Sequence, residues 1–320
     1  MKSVAFVGIG GVGGYYGAMV ARRCTEEGEG RVVFVARGEH LSAIRERGLQ
    51  VYAADEEFTV RPTFVTDRPS EAGVMDLVVF AVKGYALEEA ARDAIPLVGP
   101  ETVVLPLLNG VDNGEILSRI LACGRVGNGC VYISARREGP GVIRQTGGSR
   151  KLFFGPLSGD RAPFLAVEQF LRRCSIDAAR ADPIGEAVWT KFIFMSPMAG
   201  VTSLWGKTFG EVLAQEESLS MAEGMMREIR SLAQEKRIAL PEDIVEQSLA
   251  KARAFPPDTK SSMQLDCEKG SPTEIETFLG YVVREGDRLG LDVHLTRGVY
   301  DALKLRSDQP CVSEQEGHRP

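Results

Sequence analysis

The chain has 320 residues, 44% hydrophobic and 26% charged, an ordinary globular composition that excludes a disordered or collagen-like protein. Its 38 Lys plus Arg against 44 Asp plus Glu give a net charge of −6, so no global field draws nucleic acid or an anionic membrane as a partner. The length suits two domains of about 150 residues each.

The chain begins Met1-Lys2-Ser3-Val4-Ala5-Phe6-Val7-Gly8, running into a strand pattern without the apolar region of a signal peptide, so a cytoplasmic location is expected. Short β-rich runs then alternate with helical patterns up to about residue 181. Residues 4–7, 32–35, 77–82 and 103–107 are apolar without alternation, as in strands buried on both faces of a parallel sheet. Runs at 129–134, 141–145 and 151–155, separated by glycine-rich turns, read as antiparallel additions at the sheet edge. None of these runs is long enough to cross a bilayer of about 30 Å.

Beyond Ala181-Asp182-Pro183 helical patterns dominate, over 211–236, 242–254 and 271–289, the second opening on Pro241, Glu242 and Asp243. The expected architecture is α/β: a Rossmann-type doubly wound sheet over 1–181, an all-helical second domain over 182–306 and a loose tail over 307–320. The six cysteines show neither a Cys-x-x-Cys pair nor zinc spacing with a histidine, so reduced thiols and no metal are expected.

Gly8-Ile9-Gly10-Gly11-Val12-Gly13 fits G-x-G-x-x-G between the first strand and a helical pattern over 15–24. Gly8 permits the tight turn, Gly10 a close backbone approach to a pyrophosphate, and Gly13 the packing of helix on strand. Where an NAD-specific site commonly offers an acid after the second strand, this chain has Ala36-Arg37-Gly38, with no acid before Glu39. A guanidinium there suits a 2′-phosphate and favours NADPH over NADH.

Reducing a ketone needs a proton donor beside the nascent alkoxide. His40, His294 and His318 have no evident place beside a nicotinamide, which leaves lysine, whose ordinary pKa of about 10.4 keeps it charged at neutral pH. Lys83 follows the strand at 77–82 and Asn109-Gly110 follows the next, both at the ligand-binding ends of a parallel sheet. Trp189-Thr190-Lys191-Phe192 lies near the expected domain boundary.

With Ala135-Arg136-Arg137 and the stretch from Ser261-Ser262-Met263 to Pro272-Thr273-Glu274-Ile275-Glu276, these motifs resemble the ketopantoate reductase family over about residues 2–305. The resemblance implies NADPH-dependent reduction of 2-dehydropantoate to (R)-pantoate, a step toward pantothenate and coenzyme A. It makes Lys191 the proton donor and gives Lys83, Asn109 and Ala135 cofactor contacts, Asn109 also reaching substrate. It gives Ser262 a substrate contact, and has Glu274 bind near the nicotinamide end and help orient Lys191.

The chain departs from the family where asparagines commonly follow the lysine by four and eight residues: Met195 and Ala199 stand there, on the lysine's helical face as further substrate-side positions. Phe209 replaces a third family asparagine before Gly210-Glu211, and Pro197 interrupts the same segment. Fewer amide donors suit a less polar branched 2-keto acid, which stays open as an alternative substrate. So does an NADPH-binding sensor without catalysis. The sequence leaves the oligomeric state open and allows a homodimer.

Overall fold

The computed structural model describes residues 1–307, so the expected tail lies, from residue 308, outside the described residues. Two compact units divide the chain, Met1–Phe192 and the part from Ile193 onward. That division falls within a helix, Ile184–Trp205, whereas the sequence reading set it ahead of that helix, at 181.

The first unit runs β1 (Ser3–Val7), α1 (Gly11–Glu27), β2 (Arg31–Val35), α2 (Gly38–Arg47), β3 (Leu49–Tyr52), β4 (Glu57–Val60), β5 (Phe64–Thr66), β6 (Leu77–Phe80), α3 (Leu87–Asp93), β7 (Val103–Pro106) and α4 (Asn113–Ile120). It continues with β8 (Arg125–Gly139), β9 (Val142–Pro156), α5 (Ala162–Arg173), β10 (Ala178–Arg180) and the start of α6 (Ile184–Trp205). The ten strands form one mixed sheet, ordered β4-β3-β9-β8-β7-β6-β1-β2-β5, with β10 paired to β9. From β7 to β5 the neighbours are all parallel.

The two-residue period of a strand builds two cores from one sheet. Val4, Phe6, Val32, Phe34, Leu77, Val79, Val103 and Leu105 face one side with Tyr16 and Val20 of α1 and Phe164 and Val167 of α5. Ala5, Val7, Val33, Val35, Val78, Phe80 and Val104 face the other with Leu87 and Ala91 of α3 and Leu117 of α4. Gly17 of α1 sits where an added Cβ would be 3.0 Å from the Phe34 ring, so this glycine lets the helix settle on the sheet.

The expected edge strands need correction. The runs at 141–145 and 151–155 are one strand, β9, antiparallel to β8, with register shifts around Ser134 and Ala135 where bulges absorb the mismatch. Nor is β9 an edge: it also pairs with β3 through Gln50–Tyr52 and with β10 through Ala178–Arg180, and the β3–β4 hairpin lies beyond it.

The second unit comprises the rest of α6, α7 (Phe209–Ala214), α8 (Glu216–Glu235), α9 (Ile244–Arg253), α10 (Ser262–Glu268), α11 (Tyr281–Leu289) and α12 (His294–Ser307). It is all helical within the described residues. The helix expected over 211–236 breaks at Gln215, whose φ of −110° and ψ of 123° are extended. A Thr208–Glu211 capping box starts α7, and the Ser218 hydroxyl donates to the carbonyls of Val212 (3.0 Å) and Gln215 (3.1 Å), satisfying acceptors that the break releases. The helix expected over 271–289 starts at Ile275 and opens with a π-helical turn, Glu276–Gly280, in which the Ser196 hydroxyl donates to the Phe278 carbonyl at 3.2 Å.

No described helix is long and apolar enough to cross a membrane. No disulfide joins the five described cysteines; burial pushes Cys174 up to about 12, which keeps it protonated and inert.

Candidate active site

After β1 the chain runs to β2 and β5 on one side of it and then returns to β6 on the other, so the turn following β1 lies at a topological switch point, where open α/β sheets bind ligands. Each glycine in that turn has its own geometry. Gly8 has a φ of +93°, and an added Cβ would meet the Ala81 carbonyl at 2.9 Å. A Cβ on Gly13 would lie 2.0 Å from the Gly8 carbonyl oxygen, so the close helix-on-strand packing is as the spacing anticipates.

Gly11 has the closest approach to another strand: its Cβ would overlap the Ala135 carbonyl of β8 at 2.0 Å. Around Gly10, by contrast, nothing lies within 4 Å of a would-be Cβ, leaving open space against the backbone. Gly10 also caps α1 without any side-chain hydrogen bond, so the positive end of this 17-residue helix, with its first amides, can receive an anion. These features fit a pyrophosphate.

A cavity of about 240 Å³ continues from this turn, lined by Gly8, Ile9 and Gly10, by Arg37 after β2, by Val82 after β6, and by Glu89 and Asp93 of α3. Arg37 is placed on it as expected, but its guanidinium already bridges Glu89 at 3.0 Å and Asp93 at 2.7 Å. Neither acid, nor Asp67, which also lines the cavity, stood out in the sequence; His40, set aside there as a proton donor, and Arg137, named there only within Ala135-Arg136-Arg137, line it too. The only local hint was an acidic run, Glu88-Glu89, with Asp93 one helical turn after Glu89.

His40 is buried, and its Nδ1 accepts the Gly141 amide at 2.9 Å, which fixes the ring proton on Nε2. That Nε2 has no hydrogen-bond partner, and burial, reinforced by Arg137, lowers the imidazole below its usual range.

The other expected residues of the first unit sit at strand ends. Lys83, half-buried, lies three residues past the β6 end and precedes a short turn closed by the Ala86 amide on the Lys83 carbonyl at 2.9 Å. Asn109 lies in the loop after β7, which buried side chains hold: the Asn113 amide donates to the Asn109 carbonyl at 3.0 Å and the Asn128 amide to the Val111 carbonyl at 3.0 Å. Lys191 lies on α6, whose first turns rest on the sheet. Gly155 has no room for a Cβ beneath Ala181 and Ile184, the Cys130 thiol reaches the Ala187 carbonyl at 3.6 Å, and Trp189 is buried edge-on to Phe192.

That anchoring brings two expected residues together across 82 positions of sequence. Lys191 Nζ donates to Asn109 Oδ1 at 3.1 Å, both groups half-buried. Only the amide oxygen can accept from an ammonium, so the contact also sets which way the Asn109 amide faces. Beside the carboxyl ends of the strands stands a lysine amine bonded to an amide oxygen, an arrangement that can meet a developing oxyanion.

Ser262, Glu274, Met195 and Ala199 belong to the second unit. Ser262 is exposed at the first turn of α10, Glu274 is buried just before the π turn, Met195 is half-buried and Ala199 is fully buried. Phe209, which stands where the third family asparagine would, also belongs to the second unit. It is 2% exposed, packed in an aromatic cluster with Phe194 and Phe255 at centroid distances of 6.1 and 5.3 Å.

Comparison with known proteins agrees with this fold. The family model for the ketopantoate reductase PanE/ApbA matches residues 4–159, and that for the ketopantoate reductase PanE/ApbA C terminal matches 184–307. An uncharacterized oxidoreductase of Bacillus subtilis (strain 168), YkpB, is 27% identical over 300 residues, 93% of this chain and 97% of that protein. The crystal structure of 2-dehydropantoate 2-reductase from Porphyromonas gingivalis W83 superposes with a TM-score of 0.82 at 34% identity, over 94% of this chain and 99% of that one. D-mandelate dehydrogenase, solved with NADH and anilino(oxo)acetate, shares the fold with a TM-score of 0.85 at 22% identity, over 96% of this chain and 98% of that one.

Proposed function

Since the chain belongs to the ketopantoate reductase family, we propose that it is an NADPH-dependent 2-keto acid reductase that converts 2-dehydropantoate to (R)-pantoate, a step toward pantothenate and coenzyme A. The observation that carries this reading is the Lys191–Asn109 contact of 3.1 Å in the same unit as a glycine turn whose geometry suits a dinucleotide. When bound, the reduced nicotinamide supplies the hydride that forms the new C–H bond at the ketone carbon. The carbonyl π pair moves to oxygen, and Lys191 gives that oxygen its proton as the alcohol forms. Asn109 holds the ammonium in place by accepting one of its N–H bonds, while the amides at the start of α1 bind the pyrophosphate.

Lys83 and Ala135 complete the cofactor contacts in this reading. Arg37, with no acid at the end of β2, supplies the guanidinium for a 2′-phosphate. Glu274, Ser262, Met195 and Ala199 keep the cofactor-side and substrate-side roles that the family pattern gives them. A less polar branched 2-keto acid is the second reading, favoured by the apolar side chains of Met195 and Ala199 where amides would grip hydroxyl groups.

Comparing kcat/KM for 2-dehydropantoate with that for branched 2-keto acids lacking its hydroxyl decides between them. The proposal expects a preference of at least about 100-fold for 2-dehydropantoate, since a site that hydrogen-bonds a substrate hydroxyl rejects the analogue without it strongly. A preference for the unhydroxylated acids would replace the substrate while leaving the reaction class intact. Dinucleotide binding without turnover of any keto acid would make the chain a sensor.

A further inference from the structure

The adenosine end of the cavity carries a balance of charge that its fingerprint does not announce. Arg37 reaches Glu89 through one terminal nitrogen at 3.0 Å and Asp93 through the other at 2.7 Å, so carboxylates occupy the two nitrogens with which a guanidinium grips a phosphate bidentately. Both acids stand on α3 and line the same cavity as Arg37, with Asp67 and Arg137. Three carboxylates thus meet two guanidinium groups where a 2′-phosphate, close to a dianion at neutral pH, would have to be received.

We propose that Glu89 and Asp93 are specificity-determining residues. By holding Arg37 they weaken its hold on a 2′-phosphate and narrow the preference for NADPH over NADH. A dinucleotide with a free 2′-hydroxyl leaves the three-residue bridge intact and binds without displacing anything. A phosphorylated one must take Arg37 from two carboxylates and then sit beside them. All three side chains are substantially exposed, at 62% for Arg37, 66% for Glu89 and 46% for Asp93, so each pair is weak enough to exchange. The bridge therefore tunes selectivity and does not block the site.

This inference rests on the dinucleotide-binding part of the proposed function. Its test is titration of the full-length protein with NADPH and with NADH, followed by nicotinamide fluorescence, in wild type, E89Q/D93N, R37A and the triple variant. E89Q/D93N is expected to tighten NADPH by about fivefold to tenfold, the scale of two exposed ion pairs, and to leave NADH within about twofold. In the R37A background most of that gain disappears, because Arg37 transmits it.

An unchanged NADPH-to-NADH ratio in E89Q/D93N overturns the inference while leaving the proposed function standing. A full gain without Arg37 overturns it too, by showing that the acids act on the phosphate directly. Failure of the wild type to bind either dinucleotide overturns the proposed function and this inference together. The substituted acids lie on the surface, and thermal melting of each variant verifies that it is folded.

Discussion

Glu285 shows how much of this molecule's chemistry depends on neighbours that the sequence does not place together. Arg288, on its own helix, donates to it at 2.8 Å, and Lys236 reaches it from the end of α8 at 2.6 Å. The Arg288 hydrogen bond, then Lys236, hold this carboxyl at about 2 against an opposing effect of burial. Because the folded value lies below the unfolded one of about 4.3, the stabilisation is complete above that value and is lost as pH falls toward 2. E285Q is expected to cost of order 1–2 kcal/mol at neutral pH, and its stability gap from the wild type is expected to close between about pH 5 and pH 2 in urea melts. A gap that stays constant with pH would contradict this assignment.

At the same scale, Gly8, Gly13 and Arg37 were legible because their spacing from a strand end is local. Setting the histidines aside left lysine, with Lys83 and Lys191 both open, and only the family resemblance singled out Lys191. The partners of Arg37 were not legible, since Glu89 and Asp93 lie on a helix that meets β2 only through tertiary packing. His40 was set aside by its position in sequence, yet the fold buries it beside the cavity that continues from the glycine turn.

Among elements, the buried parallel strands were legible from their uninterrupted apolar runs, whereas β3 and β4 were missed. Leu49–Tyr52 and Glu57–Val60 are four residues each; the first pairs with β9, some 90 positions away in sequence, and the second only with the first. The break at Gln215 has neither glycine nor proline to announce it. Instead, the Ser218 hydroxyl and two acids in the first turn of α8 make a new helix start acceptable.

The start of α12 is held partly from another helix. Buried Glu228 on α8 accepts the Leu295 amide at 2.8 Å, the Thr296 amide at 2.9 Å and the Thr296 hydroxyl at 2.6 Å, while the local Asp292 accepts only the His294 amide at 3.2 Å. Removing a charged acceptor from two buried amides costs more than an exposed cap. E228A is therefore expected to lose about 3 kcal/mol in denaturant melts, with amide-exchange protection at Leu295 and Thr296 falling first. A loss below about 0.5 kcal/mol would show that solvent replaces the carboxylate freely.

For the whole molecule, composition and the change from strand to helical patterns foretold two units, because each unit has its own hydrophobic period. They did not foretell that α6 begins within the first unit, since a 22-residue helix rich in apolar residues on all sides gives no sign of where one core ends and the next begins. That detail matters for function: Lys191 is fixed by the sheet unit, on the same scaffold as Asn109 and the glycine turn. The central claim is that this ammonium delivers the proton to the reduced ketone. The direct measurement is the rate of nicotinamide absorbance loss after mixing the K191M variant and the wild type with NADPH and saturating 2-dehydropantoate. The account predicts turnover by the wild type and a rate lower by about 100-fold or more in K191M, with NADPH affinity retained. Equal rates in the two proteins would contradict it.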